Sequence, residues 1–167
     1  TDVKDWNNIS DNERNLLTQI FRLFTQSDVD VAAGYVNKYM KLFRKPEATM
    51  MMSAFANMEG IHQDAYSILL DTVGMRDSEY KAFAKYEEML NKHEYIHQFK
   101  PTRKNKKEIA KALAVYSAFT EGLQLFSSFA ILLNFPRFGK MKGMGQIVTY
   151  SIRDESLHVE AMTRLFR

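Results

Sequence analysis

Three of the four histidines in this sequence stand three residues after a glutamate: Glu59 and His62, Glu94 and His97, Glu155 and His158. Random placement of eleven glutamates and four histidines in 167 residues gives about 0.3 such pairs, so the spacing asks for a chemical reason. On an α-helix, positions i and i+3 project about 60° apart, and both side chains can reach one cation. A carboxylate oxygen beside an imidazole nitrogen suits iron or manganese. Thiolate zinc sites, Fe–S clusters and disulfides are excluded, because the chain has no cysteine.

Context separates the three pairs. Glu59 and His62 lie in SAFANMEGIHQDAYSILL, and Glu155 and His158 in IVTYSIRDESLHVEAM; both stretches are amphipathic and present a core-facing side. Glu94 and His97 lie in EEMLNKHEYIHQFKPTRK beside a basic loop, and with His93 they are read as surface residues near a helix end. Two Glu-x-x-His helices need one carboxylate from each of two further helices to enclose a pair of metal ions. Glu121, inside ALAVYSAFTEGLQLFSSFAILL, is one candidate, since an unpaired carboxylate there is strongly destabilising and a cation offsets the cost. Asp28, in RLFTQSDVDVAAGY, is the other, with Asp30 as a rival that spacing alone does not eliminate. Tyr66 follows His62 by four and Glu59 by seven, so the three share one helix face. Each feature also has a plain structural reading. Glu121 can pair with a lysine or arginine, a lone Glu-x-x-His can be an exposed contact, and Tyr66 can be ordinary core.

These residues need long helices to hold them. Apolar spacing predicts a helix over 11–43, opened by a capping box in which Ser10 is followed by Glu13. A second runs over 47–73, with Pro46 in its first turn and Gly74 as its C-cap. A shorter one covers 77–91, started by Asp77 or Ser78. The fourth covers 104–134 and is stopped by Pro136. After a loop marked by Gly139, Gly143 and Gly145, the last fills 146 to the end. No segment alternates as a strand does. Three prolines and seven glycines leave little punctuation, and ten methionines suit helical, irregularly filled cores. The expectation is an all-α bundle, residues 1–167 forming one domain.

The net charge of +3 is mild. The basic run at 100–108 is read as a solvated loop, so no nucleic-acid partner is expected. The apolar stretch 114–135 carries Glu121 and Gln124 near its middle, which argues against a lipid-exposed span. No membrane association and no secretory leader are expected, and the lack of cysteine is compatible with the cytoplasm.

In their order along the chain, FTQSD (24–28), MEGIHQDAY (58–66), TEGLQLFSSF (120–129) and RDESLHV (153–159) resemble the small, radical-generating subunit of class I ribonucleotide reductase, a ferritin-like family. The resemblance runs from about Asp11 onward. It implies a dinuclear metal centre, with iron expected and manganese accepted by the same ligands. Asp28, rather than Asp30, joins Glu59 and His62 at one metal; Glu121, Glu155 and His158 hold the other, with glutamate bridging. It further implies a stable radical at Tyr66 formed with O2, and a relay acid, Asp154, that orients His62. Apolar neighbours Ile61, Leu125 and Phe129 are expected to shield the radical; Phe129 matches a family pocket residue, and Leu125 stands where an aromatic is common. Asp154 can instead pair with Arg153. The implied partners are a large catalytic subunit that makes deoxyribonucleotides and a second copy of the chain.

By the same resemblance, the family's upstream relay tryptophan and its C-terminal docking tail are expected to be missing, and the connection from Tyr66 to Glu121 is short. Trp6 receives no relay role, and Arg167 follows the last ligand by nine residues. The rival readings are a di-iron oxidase or hydroxylase acting on a small substrate, and a ferritin-like metal-storage protein.

Overall fold

The computed structural model describes residues 2–75 and 86–167. In chain order the elements are α1 (Asp2–Asn8), α2 (Asp11–Gly34), the π-helical π1 (Tyr35–Tyr39), α3 (Met40–Leu42), α4 (Pro46–Val73), α5 (Glu87–Gln98), α6 (Lys106–Leu113), π2 (Ala114–Leu125), α7 (Phe126–Arg137) and α8 (Lys142–Phe166). No strand occurs among the described residues, and the expected all-α bundle is what forms. No described helix is long and apolar enough to cross a membrane.

Four rods build the bundle: α2 with π1 and α3; α4; α6 with π2 and α7; and α8. Each rod carries apolar residues at both ends and a polar interruption between them. On the first rod, Leu17, Phe21 and Phe24 join one buried cluster, Asp28 interrupts, and Val31 and Tyr35 join a second. On α4 the order reverses, with Met52 and Phe55 in the second cluster, then Glu59 and His62, then Tyr66 and Leu70 in the first. The third rod also runs from second to first cluster through Glu121, and α8 runs from first to second through Glu155 and His158. Thus α2 and α8 point one way and the other two rods the opposite way. A charged layer crosses the bundle between two apolar halves. Because α4 and the third rod are parallel, a long crossover containing α5 must join them.

Local chemistry explains most boundaries. The capping box opens α2, with the Glu13 amide donating to Ser10 Oγ at 3.3 Å and the Ser10 amide donating to Glu13 Oε2 at 2.9 Å. Pro46 opens α4 and Gly74 closes it in the left-handed region, at φ 75°. Asn105 caps α6 by accepting from the Glu108 amide at 3.2 Å, and the basic residues around it are exposed.

Four expectations need correction. Two of the rods widen into π-helix, at 35–39 and 114–125, where apolar periodicity predicts uninterrupted α-helix. Pro136 does not stop its helix but lies in its last turn; the Phe138 amide bonds to Phe135 O and the chain leaves through Gly139 at φ 79°. The last helix begins at Lys142, not 146, although it thereby contains Gly143 and Gly145. Asp2 accepts from the Gly143 and Met144 amides at 2.9 and 2.6 Å, and Asp5 from the Met141 amide at 2.9 Å, so α1 caps α8 from afar. Gly145 also admits Pro136, whose Cγ would lie 2.6 Å from a Cβ there. Finally, the short helix reaches Gln98 rather than 91, held by buried Ile96; its expected start at Asp77 or Ser78 falls outside the described residues.

Candidate metal centre

Each rod delivers its polar residues to one level of the bundle. Asp28 comes from α2, Glu59 and His62 from α4, Glu121 from π2, and Glu155 and His158 from α8; none is more than 5% exposed. Their ligand-type atoms fall into two groups, Asp28 with Glu59 and His62, and Glu59 with Glu121, Glu155 and His158, the atoms of each lying within 4.8 Å of one another. Glu59 belongs to both. Glu155 also reaches both halves, with Oε1 3.3 Å from His62 Nδ1 and Oε2 3.5 Å from His158 Nδ1.

The electrostatics are those of a layer that needs cations. Burial, followed by the neighbouring Glu59 and Glu155, drives the Asp28 carboxyl well above the usual range. Burial pushes Glu121 up to about 8. Burial would lower the imidazoles, but the surrounding glutamates outweigh it and push His62 up to about 11 and His158 up to about 12. Burial also disfavours charge on Glu155, yet the His158 and His62 rings beside it hold it below the usual carboxylate value. Among the described residues, Asp28 Oδ2, both Glu59 oxygens, Glu155 Oε2 and His158 Nδ1 make no aligned hydrogen bond although fully buried. Orphaned lone pairs of oxygen and nitrogen converging in a dry interior fit a pair of divalent transition ions.

The rings are aimed from behind. His62 turns Nδ1 to Glu59 and Glu155 at 3.4 and 3.3 Å, while Nε2 meets Asp154 Oδ2 at 3.3 Å. A carboxylate behind a metal-facing imidazole fixes its orientation and raises its basicity. Asp154 also accepts from Arg153 Nε at 3.2 Å, so the surface pairing open to it coexists with the contact to His62. His158 points Nδ1 inward, 3.0 Å from Glu59 Oε1, with Nε2 against Met58 Sδ at 3.3 Å.

One turn from this layer sits Tyr66, 2% exposed. Its ring lies 5.1 Å from that of Phe24, which in turn lies 5.2 Å from Phe129, and Leu125 belongs to the same buried cluster. The Tyr66 hydroxyl and Ser151 Oγ share a hydrogen bond of 3.3 Å. Burial raises the phenol's pKa far above its ordinary value. Phe24 and Ser151 precede Asp28 and Glu155 by four residues, and Tyr66 and Leu125 follow His62 and Glu121 by four; antiparallel rods turn these offsets into one level.

The profile of the family described as ribonucleotide reductase, small chain, matches residues 1–167. The chain belongs to the ribonucleotide reductase small-chain family. A probable ribonucleoside-diphosphate reductase small subunit of Invertebrate iridescent virus 6 is 52% identical over 99% of this chain and 50% of its own length. That of Invertebrate iridescent virus 3 is 46% identical over 99% of this chain and 48% of its own. The ribonucleoside-diphosphate reductase small chain 1 of Saccharomyces cerevisiae is 28% identical over 99% and 42%. The chain thus spans about half the length of these relatives.

In this small-chain family member some expectations shift. Ile61, expected beside Tyr66, is 59% exposed, because it precedes His62 by one residue and so lies about 100° around α4 from the side that faces the charged layer. Tyr35 was not among the expected site residues, yet its hydroxyl donates to Glu121 Oε1 at 2.6 Å. The signal was its position seven residues after Asp28, which repeats the offset of Tyr66 from Glu59. Asp30 points away from the layer. Glu94 and His97 are exposed, as expected, but both the His93 and His97 rings turn to Asp30 instead of standing free on the surface.

Proposed function

We propose that this chain forms the metal and radical core of a ribonucleoside-diphosphate reductase small subunit. Asp28, Glu59 and His62 hold one ion and Glu121, Glu155 and His158 the other, with Glu59 and Glu155 reaching both. When bound, a pair of iron or manganese ions supplies, with O2, an oxidising power that no side chain here possesses. The chain's residues do the rest. Asp154 fixes the His62 ring so that Nδ1 faces inward. Tyr66 is the group oxidised. Its raised pKa keeps the proton on the phenol at any working pH, so the proton leaves only with the electron. Phe24, Leu125 and Phe129 exclude water from the resulting radical. The radical equivalent then serves a separate large subunit, in which ribonucleotide becomes deoxyribonucleotide; a second copy of this chain and a cytoplasmic setting complete the reading.

The observation that carries this reading is the shared level: carboxylates and imidazoles from all four rods converge in two groups, and a buried tyrosine lies one turn away. Reconstitution with Fe(II) and O2, followed by metal analysis and electron paramagnetic resonance, tests it. Two metals per chain with a tyrosyl signal are expected. Mineral uptake without an organic radical would favour storage instead.

A further inference from the structure

A second set of metal-ligand side chains lies outside the central layer. Residues 93–97 read His-Glu-Tyr-Ile-His, and they lie within α5. Histidines at i and i+4 share one helix face, the spacing with which helical His-Glu-x-x-His segments hold zinc. The third donor comes from α2. Asp30 follows Asp28 by two residues, about 200° around the helix, so the two aspartates of one segment face opposite ways. Asp28 enters the central layer and Asp30 meets α5. His93 Nδ1 lies 2.6 Å from Asp30 Oδ2, His97 Nε2 lies 3.3 Å from Oδ1, and all three ligand-type atoms lie within 4.8 Å of one another.

The surroundings favour an ion at this point. Asp30 is 6% exposed. Gln26 Nε2 donates to its Oδ1 at 3.0 Å. Lys38, which feels the Asp30 charge, is tied instead to Ile96 O at 3.3 Å and Tyr116 OH at 2.9 Å. A small cavity of about 20 Å³ touches Gln26, Ser27, Asp30, His93 and Gln124, with Lys92 also on its wall. That is room for one water beside Asp30 and His93, while His97 closes the cluster from the solvent side, off the cavity wall. His97 is exposed, so solvent can complete the coordination sphere from outside.

We propose that Asp30, His93 and His97 form a mononuclear site for zinc(II), separate from the central pair. Two imidazoles and one carboxylate are a standard zinc donor set, and three protein ligands leave the fourth position to water. Bound zinc clips α5 to α2. It thereby fixes the crossover that lets α4 and the third rod run parallel.

Zinc(II) titrated into the whole chain tests this, read by metal content after desalting and by ¹⁵N resonances of the imidazoles, of which there are only four. The His93 and His97 ring nitrogens should shift on binding. H93A/H97A should bind one zinc fewer per chain than the parent. Asp30→Asn, which keeps the shape of the side chain, should lose the same equivalent. Glu121→Ala, by contrast, should still show the His93 and His97 shifts, so the outcome does not depend on the central layer. Unmoved His93 and His97 resonances at saturating zinc, in the parent chain with no substitution, overturn the site and leave a hydrogen-bonded cluster only.

Discussion

Tyr66 and Tyr35 lie on opposite sides of one carboxylate layer, both 2% exposed, yet their hydroxyls have opposite company. Tyr35 donates to a carboxylate of the layer itself, Glu121, at 2.6 Å, and packs against Tyr39, Phe55 and His158. Among the described residues, the Tyr66 hydroxyl meets the neutral Ser151 hydroxyl, and its ring is walled by Phe24, with Phe129 and Leu125 behind. A phenol whose proton is committed to a buried carboxylate is suited to aim that carboxylate. One held by a weak neutral partner in an apolar pocket is free to lose a proton along with an electron. Burial raises the pKa of both, so burial alone does not distinguish them; the partner of the hydroxyl does.

The strongest way to break this comparison is to remove the layer between the two rings. Glu121→Ala should cost the reconstituted protein at least one metal per chain and the radical with it, read by metal analysis and electron paramagnetic resonance. Full metal content in that variant sinks the assignment. Tyr66→Phe should leave metal loading at the parent level and abolish the tyrosyl signal. Its stability should fall by only about 1 kcal/mol, the net worth of one hydrogen bond. Tyr35→Phe should do the converse: metal affinity weakened on the order of 10- to 100-fold, with an unaltered radical at saturating metal. If Tyr35→Phe removed the signal and Tyr66→Phe spared it, the roles would be reversed.

The smallest effect is a control at the surface. Lys140 and Ser10 hold the Glu13 carboxyl down to about 2 from an ordinary 4.5. A depressed carboxylate stabilises the fold above its unfolded value and loses that contribution as pH falls through its folded value. Glu13→Gln should therefore melt lower than the parent at pH 7. The gap should close between about pH 4.5 and 2, with metal loading unchanged throughout.

The buried layer of carboxylates and imidazoles was legible in the sequence because helical spacing and burial are both written locally. Glu59 with His62, Glu155 with His158, and Glu121 in its apolar stretch declare themselves by position; the choice of Asp28 over Asp30 came from the family resemblance. The geometry adds that both aspartates face ligand-type partners, on opposite sides of α2. What stayed hidden depends on contacts between distant residues. The π-helical widenings leave apolar periodicity nearly intact. The early start of α8 depends on carboxylates some 140 residues upstream, Asp2 and Asp5. The turn of His93 and His97 toward Asp30 needs the crossover geometry, which no window of sequence contains.

Those long-range caps make the first helix part of the machinery it never touches. Asp2 and Asp5 anchor the end of α8, and Glu155 and His158 project from the same rod three to four turns farther on. Fraying of seven residues at the rim would thus be transmitted as a loosening of two donors in the interior. Holding the charged layer together is a task shared with a segment that supplies none of its side chains, only far-off caps and the packing of Trp6.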